Sequence, residues 1–133
     1  MQIEPYEVNI RFSDCDMMGH VNNAVYFTYF EEARIHYLGQ LFGPERDWKV
    51  NGTIVRTNEI EYLAPILNKE KPTIEIYIES IGNKSFTVCY EVRVGNELRS
   101  IGKSVMVWYN GTTHQSFVPP EESKKLLEQL KRY

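Results

Sequence analysis

A chain of 133 residues with 42% hydrophobic and 25% charged residues has the composition of an ordinary globular protein, which excludes a disordered tail, a collagen-like fibre and a disulfide-dense miniprotein. A chain of this length buries roughly 65–70% of its unfolded surface, so the expectation is a single domain over 1–133 with a core of its own. Fifteen basic and eighteen acidic residues give a net charge of −3 and a pI near 5.6, without the basic excess of a general nucleic-acid binder. Cys15 and Cys89 are too few for a disulfide framework and read as a reduced pair. Glu4, Glu7, Arg11 and Asp14 leave no apolar signal segment at the start, and the uncharged run 17–30 is interrupted by His20, Asn22 and Asn23. The expected location is therefore cytoplasmic, with no membrane and no nucleic-acid partner.

Tyr6, Val8, Ile10 and Phe12 alternate with polar residues, which predicts a half-buried strand over 6–12. The polar run from Ser13 to Asn23 is rich in turn and cap formers and predicts a loop feeding a helix. The helix is expected from about Asn23 to Leu41, with Phe27, Phe30, Ala33, Arg34, Tyr37, Leu38 and Leu41 on its apolar side and Gly43-Pro44 as its stop. Residues 44–52 read as a surface connection, and a strand is predicted over Thr53–Tyr62, ended by Ala64-Pro65. Three alternating runs follow over 72–81, 84–94 and 97–109, separated by Gly82-Asn83 and Gly95-Asn96, which are hairpin signals. Pro119-Pro120 opens a short helix with Glu121 and Glu122 in its first turn. The predicted architecture is α+β, a five-stranded and mainly antiparallel sheet around one long helix, with a short C-terminal helix.

Most of the chemistry lies between Asp14 and Asn23. A carboxylate loop leads directly into a helix N-terminus, where the first backbone N–H groups lack intrahelical partners and carry partial positive charge. Such donors bind a carbonyl oxygen that becomes an oxyanion in acyl transfer, and a nearby carboxylate attacks that carbonyl or activates water against it. On spacing alone, Asp14, Asp16, Asn22 and Asn23 are equally well read as caps of the loop and helix. A nucleophilic Cys15 is disfavoured by its flanking carboxylates, which raise a thiol pKa. The spacing of Asp14, Asp16, His20 and His36 fits no zinc or calcium pattern, so no metal is expected. Glu31 and Glu32 read as solvated or salt-bridged helix surface.

The run from Arg11 to Tyr26, with Ser13-Asp14-Cys15-Asp16 and His20-Val21-Asn22-Asn23 at its centre, resembles the start of the hotdog-fold acyl-CoA thioesterases. It is similar, more narrowly, to the 4-hydroxybenzoyl-CoA thioesterase branch. The likeness continues through Glu32-Ala33-Arg34, through Ile60 to Pro65, and through Gly82-Asn83-Lys84-Ser85-Phe86. The resemblance implies a hotdog fold, hydrolysis of an acyl-CoA thioester to free acid and coenzyme A, and no cofactor. It implies Asp16 as the catalytic carboxylate and the backbone N–H near Asn23 as the donor to the thioester carbonyl. In related plant enzymes an Asp-x-Asn-x-His pattern is implicated; here the stretch is Asp16-Met17-Met18-Gly19-His20, so Met18 replaces the Asn and His20 assists or orients the loop. Lys84 and Ser85 fall where the family approaches the coenzyme A phosphates, with Arg56, Arg93, Arg99 and Lys103 as further basic candidates. The aromatic row Tyr26, Tyr29, Phe30 and Tyr37 packs the core, with Tyr26 also placed to contact substrate. A homodimer or homotetramer is implied. The rival readings are a non-catalytic acyl-CoA or acyl-carrier-protein binding module on the same fold and, third, a hotdog dehydratase, whose pattern is absent.

Overall fold

The computed structural model describes residues 2–132. In chain order it has β1 (Tyr6–Glu7), a 3-10 turn (Phe12–Asp14), α1 (Val25–Phe42), β2 (Gly52–Tyr62), β3 (Pro72–Ile81), β4 (Ser85–Val94), β5 (Glu97–Asn110), β6 (Gln115–Ser116) and α2 (Glu121–Glu128). Five strands lie in the order β1-β3-β4-β5-β2, all neighbours antiparallel, and the two-residue β6 is added beside β5. This is the hotdog arrangement that the resemblance implies, a sheet curled around one long helix.

Alternation places the core. Ile74, Ile76 and Ile78 on β3 and Phe86, Val88, Tyr90 and Val92 on β4 are buried against α1, while Thr73, Glu75 and Tyr77 face the other way and are half-exposed. The helix buries Tyr26, Tyr29, Phe30, Ala33, Arg34, Tyr37, Leu38 and Leu41; Phe27, expected in that stripe, is only half-buried. The Phe30 and Tyr90 rings stack with centroids 4.0 Å apart and planes within 4°. Gly102 on β5 makes this contact sterically feasible, because a Cβ there would lie 2.5 Å from the Phe30 ring.

Three local expectations change. The strand over 6–12 shrinks to Tyr6–Glu7, because its partner β3 begins at Pro72, whose carbonyl takes the last ladder bond from the Val8 N–H. Beyond it the chain leaves the sheet, and Phe12 is 92% exposed. The helix starts at Val25 rather than Asn23, since Asn22 first makes a turn, its Oδ1 accepting the Ala24 N–H and its carbonyl the Val25 N–H. The 44–52 connection is more than surface. Arg46 lies over the rings of Phe42, Trp48 and Trp108 at 4.5–5.2 Å, tying the connection to the core.

The two sheet edges are treated differently. The outer edge of β3 is covered first by β1 and then by the C-terminal segment, where the Ile78 N–H donates to the Leu130 carbonyl. Arg132 anchors that segment over the Tyr77 ring and onto Glu75 and Glu91. The outer edge of β2 has no strand partner among the described residues. No helix among the described residues is long and apolar enough to cross a membrane.

Candidate active site

The loop before α1 separates its two carboxylates by environment. Asp14 is buried at the end of the 3-10 turn, where one oxygen, Oδ2, accepts the Arg11 N–H (2.9 Å) and the Tyr29 hydroxyl (2.7 Å). Burial and that carboxylate push the Tyr29 phenol pKa well up, so the hydroxyl stays a donor. Asp14 is thus occupied in holding the loop to the helix. Asp16 is exposed. Its Oδ1 accepts the Met18 N–H at 2.9 Å and the His20 N–H at 3.2 Å, and Oδ2 has no hydrogen bond among the described residues. The 16–20 turn closes through the Asp16 N–H to the His20 carbonyl and needs Gly19 at φ +75°, a left-handed conformation that side chains disfavour.

Asp16, His20, Asn23, Tyr26 and Tyr62 line one cleft of about 260 Å³, floored by Val21 and walled by Leu63, Ala64 and Pro65. Asn23 sits two residues before α1, and its backbone N–H has no acceptor among the described residues. Its carbonyl instead accepts the Tyr62 hydroxyl at 2.7 Å, and the Tyr62 ring meets Tyr26 edge-on at 5.0 Å. Burial raises the Tyr26 phenol pKa and keeps that side chain neutral. Sequence reasoning gave Tyr62 no role; its membership in the matching Ile60–Pro65 stretch was the available signal. The arrangement places at one opening a carboxylate oxygen and an N–H donor that have no partner among the described residues, which suits attack on a carbonyl.

The cleft wall is held from behind by Arg99, which a bulge between Val92 and Arg93 leaves as the extra residue on β5. Its carbonyl accepts the Leu63 and Ala64 N–H groups. Its guanidinium donates to the Pro65 carbonyl and, bidentately, to Glu70 at 2.7 and 2.8 Å. Arg99 beside it, helped by the Leu67 N–H, lowers the Glu70 pKa from 4.5 to about 2. Glu70→Gln should destabilise the protein by on the order of 1 kcal/mol at neutral pH, the pair being solvent-screened. A depressed carboxyl pKa stabilises fully above its unfolded value and loses that contribution as pH falls towards the folded one. The denaturation midpoints of wild type and variant should therefore differ at pH 6 and converge between about pH 4.5 and pH 2.

Residues 10–130 match the family model described as the thioesterase-like superfamily. The chain belongs to this superfamily. A curated relative, the uncharacterized protein YsmA of Bacillus subtilis (strain 168), is 31% identical over 125 residues, spanning 91% of this chain and 82% of YsmA. A thioesterase from Thermus thermophilus, solved in complex with coenzyme A and Zn, is 30% identical, with TM-score 0.81 over 96% of this chain and 93% of that one. A predicted thioesterase from Bacillus stearothermophilus is 26% identical, with TM-score 0.86 over 96% of each chain.

The other candidate residues of this thioesterase-family chain fall elsewhere. Lys84 and Ser85 lie at the β3–β4 turn and are not in the cleft with Asp16. On β5, Ser100 pairs with Tyr62 at the cleft and Val107 pairs with Ser85, which separates the two places by roughly 23 Å of strand. Arg93 pairs with Glu91 and Lys103 with Glu79, whereas Lys84 and Arg56 form no ion pair among the described residues. Glu32 is bound to Arg11 and Tyr6, away from the cleft, and the His36 ring contacts the Glu4 carbonyl. Burial and the neighbouring Asp14 and Asp16 hold the Cys15 thiol above its usual pKa, which disfavours a nucleophilic thiolate. No group of three or more His, Cys, Asp or Glu among the described residues is arranged to hold a metal.

Proposed function

We propose that the protein is an acyl-CoA thioesterase that hydrolyses an acyl-CoA to the free acid and coenzyme A. The observation that carries this reading is the presence, in one cleft, of an Asp16 carboxylate oxygen and the Asn23 N–H just before α1, neither of them engaged among the described residues. The thioester carbonyl oxygen accepts from the Asn23 N–H, which stabilises the negative charge that develops on it. Asp16 either deprotonates the attacking water or attacks the carbonyl itself. In both cases the C–S bond breaks, the thiolate leaves and is protonated, and water supplies the oxygen of the acid. The His20 backbone fixes the Asp16 turn, and Tyr26 and Tyr62 form the aromatic side of the acyl entrance. A thioester is already activated, so the reaction needs no cofactor. The decisive assay is thiol release across a panel of aromatic, short and long aliphatic acyl-CoAs. Turnover of any of them supports the reading, whereas tight binding without thiol release favours a non-catalytic acyl-CoA or acyl-carrier-protein module.

The working unit is a homodimer or a tetramer built from it. β2 is 11 residues long, open along its outer edge and exposed at Ile54–Glu59, an unsatisfied ladder that a second copy can extend. In such an assembly Lys84 and Ser85 serve the coenzyme of a neighbouring copy's cleft, since their own lies too far along the strand. Sedimentation at micromolar concentration should give at least twice the 15.6 kDa chain mass, and a monomer would overturn this.

A further inference from the structure

The segment between β2 and β3 joins the wall of the Asp16 cleft to the turn that carries the carboxylate. Leu63, Ala64 and Pro65 form the wall. The residues after them pair with the turn: the Val21 N–H donates to the Ile66 carbonyl at 2.8 Å and the Asn68 N–H to the Gly19 carbonyl at 3.1 Å. Leu67 therefore stands antiparallel and directly opposite His20. His20 in turn closes onto Asp16 from both sides, its N–H donating to Asp16 Oδ1 and its carbonyl accepting the Asp16 N–H. The Asp16 turn follows the position of Leu67.

Residues 63–70 belong to no helix or strand, so individual contacts must hold them. Ile66, fully buried, pins the middle of the segment to the core. Arg99 fixes both flanks. On one flank its carbonyl accepts the Leu63 and Ala64 N–H groups, and Nη1 donates to the Pro65 carbonyl at 2.8 Å. On the other, Nη1 and Nη2 grip Glu70, whose Oε1 accepts the Leu67 N–H at 2.8 Å. Nε donates to Glu97, so all three guanidinium nitrogens are engaged. An ammonium carries its donors on one atom and cannot reproduce this fork. Arg99 is not among the residues that line the cleft, and its side chain is 13% exposed, so it acts by position rather than on the substrate.

We propose that Arg99 is the positioning residue of this cleft, setting through Glu70, Leu67 and His20 where the Asp16 carboxylate stands relative to the Asn23 N–H. Its consequence for turnover rests on the hydrolytic reading above; the coupling between Arg99 and the Asp16 turn does not. A misplacement of about 1 Å at a reacting group can cost about 10²-fold in rate, so a residue that touches no substrate can govern kcat.

Amide hydrogen exchange and steady-state kinetics of Arg99→Lys test this. The control is Arg132→Lys, since Arg132 also binds two carboxylates, Glu75 and Glu91, but at the β3 edge. In Arg99→Lys the Val21 and Asn68 amides should quicken by about tenfold more than the amides of the β3–β4 ladder, because only their local opening becomes easier. A purely global loss of stability would quicken both sets alike. In an active protein kcat should fall by about tenfold or more with KM within about threefold, while Arg132→Lys matches wild type. Glu70→Gln keeps an acceptor for the Leu67 N–H but loses the charged fork, so it should show the same pattern at about threefold. If Arg99→Lys does not fold, Glu70→Gln decides both readouts. Equal quickening everywhere, or an unchanged kcat in an active protein, overturns the proposal and leaves the thioesterase reading intact. A wild type without turnover removes that reading instead, and the exchange rates alone then decide whether Arg99 holds the turn.

Discussion

Asp16→Asn is expected to lower kcat for acyl-CoA hydrolysis by about 10²–10⁴, with substrate binding retained. In energy this is roughly 3–5.5 kcal/mol of transition-state stabilisation. The substitution isolates the chemistry because the Asp16 turn needs only an acceptor at Oδ1 for the Met18 and His20 N–H groups, and an asparagine carbonyl oxygen supplies one. What is removed is the charge and basicity of the oxygen that has no partner among the described residues. Asp14→Asn provides the contrast. Asp14 is buried under Tyr29 and Arg11, so its substitution should cost about 1–3 kcal/mol of stability while turnover per folded molecule stays within a few-fold. His20→Ala should fall between the two in kcat, since its backbone, which the variant keeps, makes the bonds to Asp16. Near-normal turnover by a clean Asp16→Asn preparation would reduce Asp16 to a turn-former and move the binding-module reading ahead.

The largest stability effect is expected at Phe30→Ala, with a loss of about 3–5 kcal/mol in equilibrium denaturation. Phe30 is fully buried and lies flat on Tyr90, with Gly102 of β5 beneath its edge. Truncation opens a void that the sheet cannot close, because the facing position carries no side chain to move into it. Phe27→Ala, one turn earlier and half-buried, should cost clearly less. Equal losses at the two positions would show that the Phe30–Tyr90 stack is not the point at which the helix is seated. Both measurements belong at fixed protein concentration, since the proposed assembly would add a concentration-dependent term to apparent stability.

Local pattern sufficed wherever one face of an element is buried and the other is wet. The isoleucines of β3 and the alternating residues of β4 declared their strands, and Gly95-Asn96 declared the turn after them, because a period of two has no alternative meaning in such runs. The Ser13–Asn23 loop, the helix stop at Gly43 and the superfamily resemblance were legible for the same reason, as short-range chemistry in contiguous residues. The sequence also offered Asp14 and Asp16 as candidate carboxylates, equally readable as caps, and by resemblance favoured Asp16. Only the tertiary structure separated the two by environment, burying Asp14 beneath a tyrosine that lies fifteen residues away. It also truncated β1 at Pro72, added Tyr62 and the Arg99–Glu70 clamp to the cleft, and carried Lys84 to the other end of the sheet. Arg34 shows the limit most plainly. In the sequence it is one member of an apolar helical stripe, and Glu31 and Glu32 just before it do not tell whether a carboxylate meets it. That depends on which strands fold over the helix, and among the described residues they bring it tyrosine, serine and asparagine but no opposite charge. Pairing across a long stretch of chain is a property of the sheet register, which no local spacing encodes.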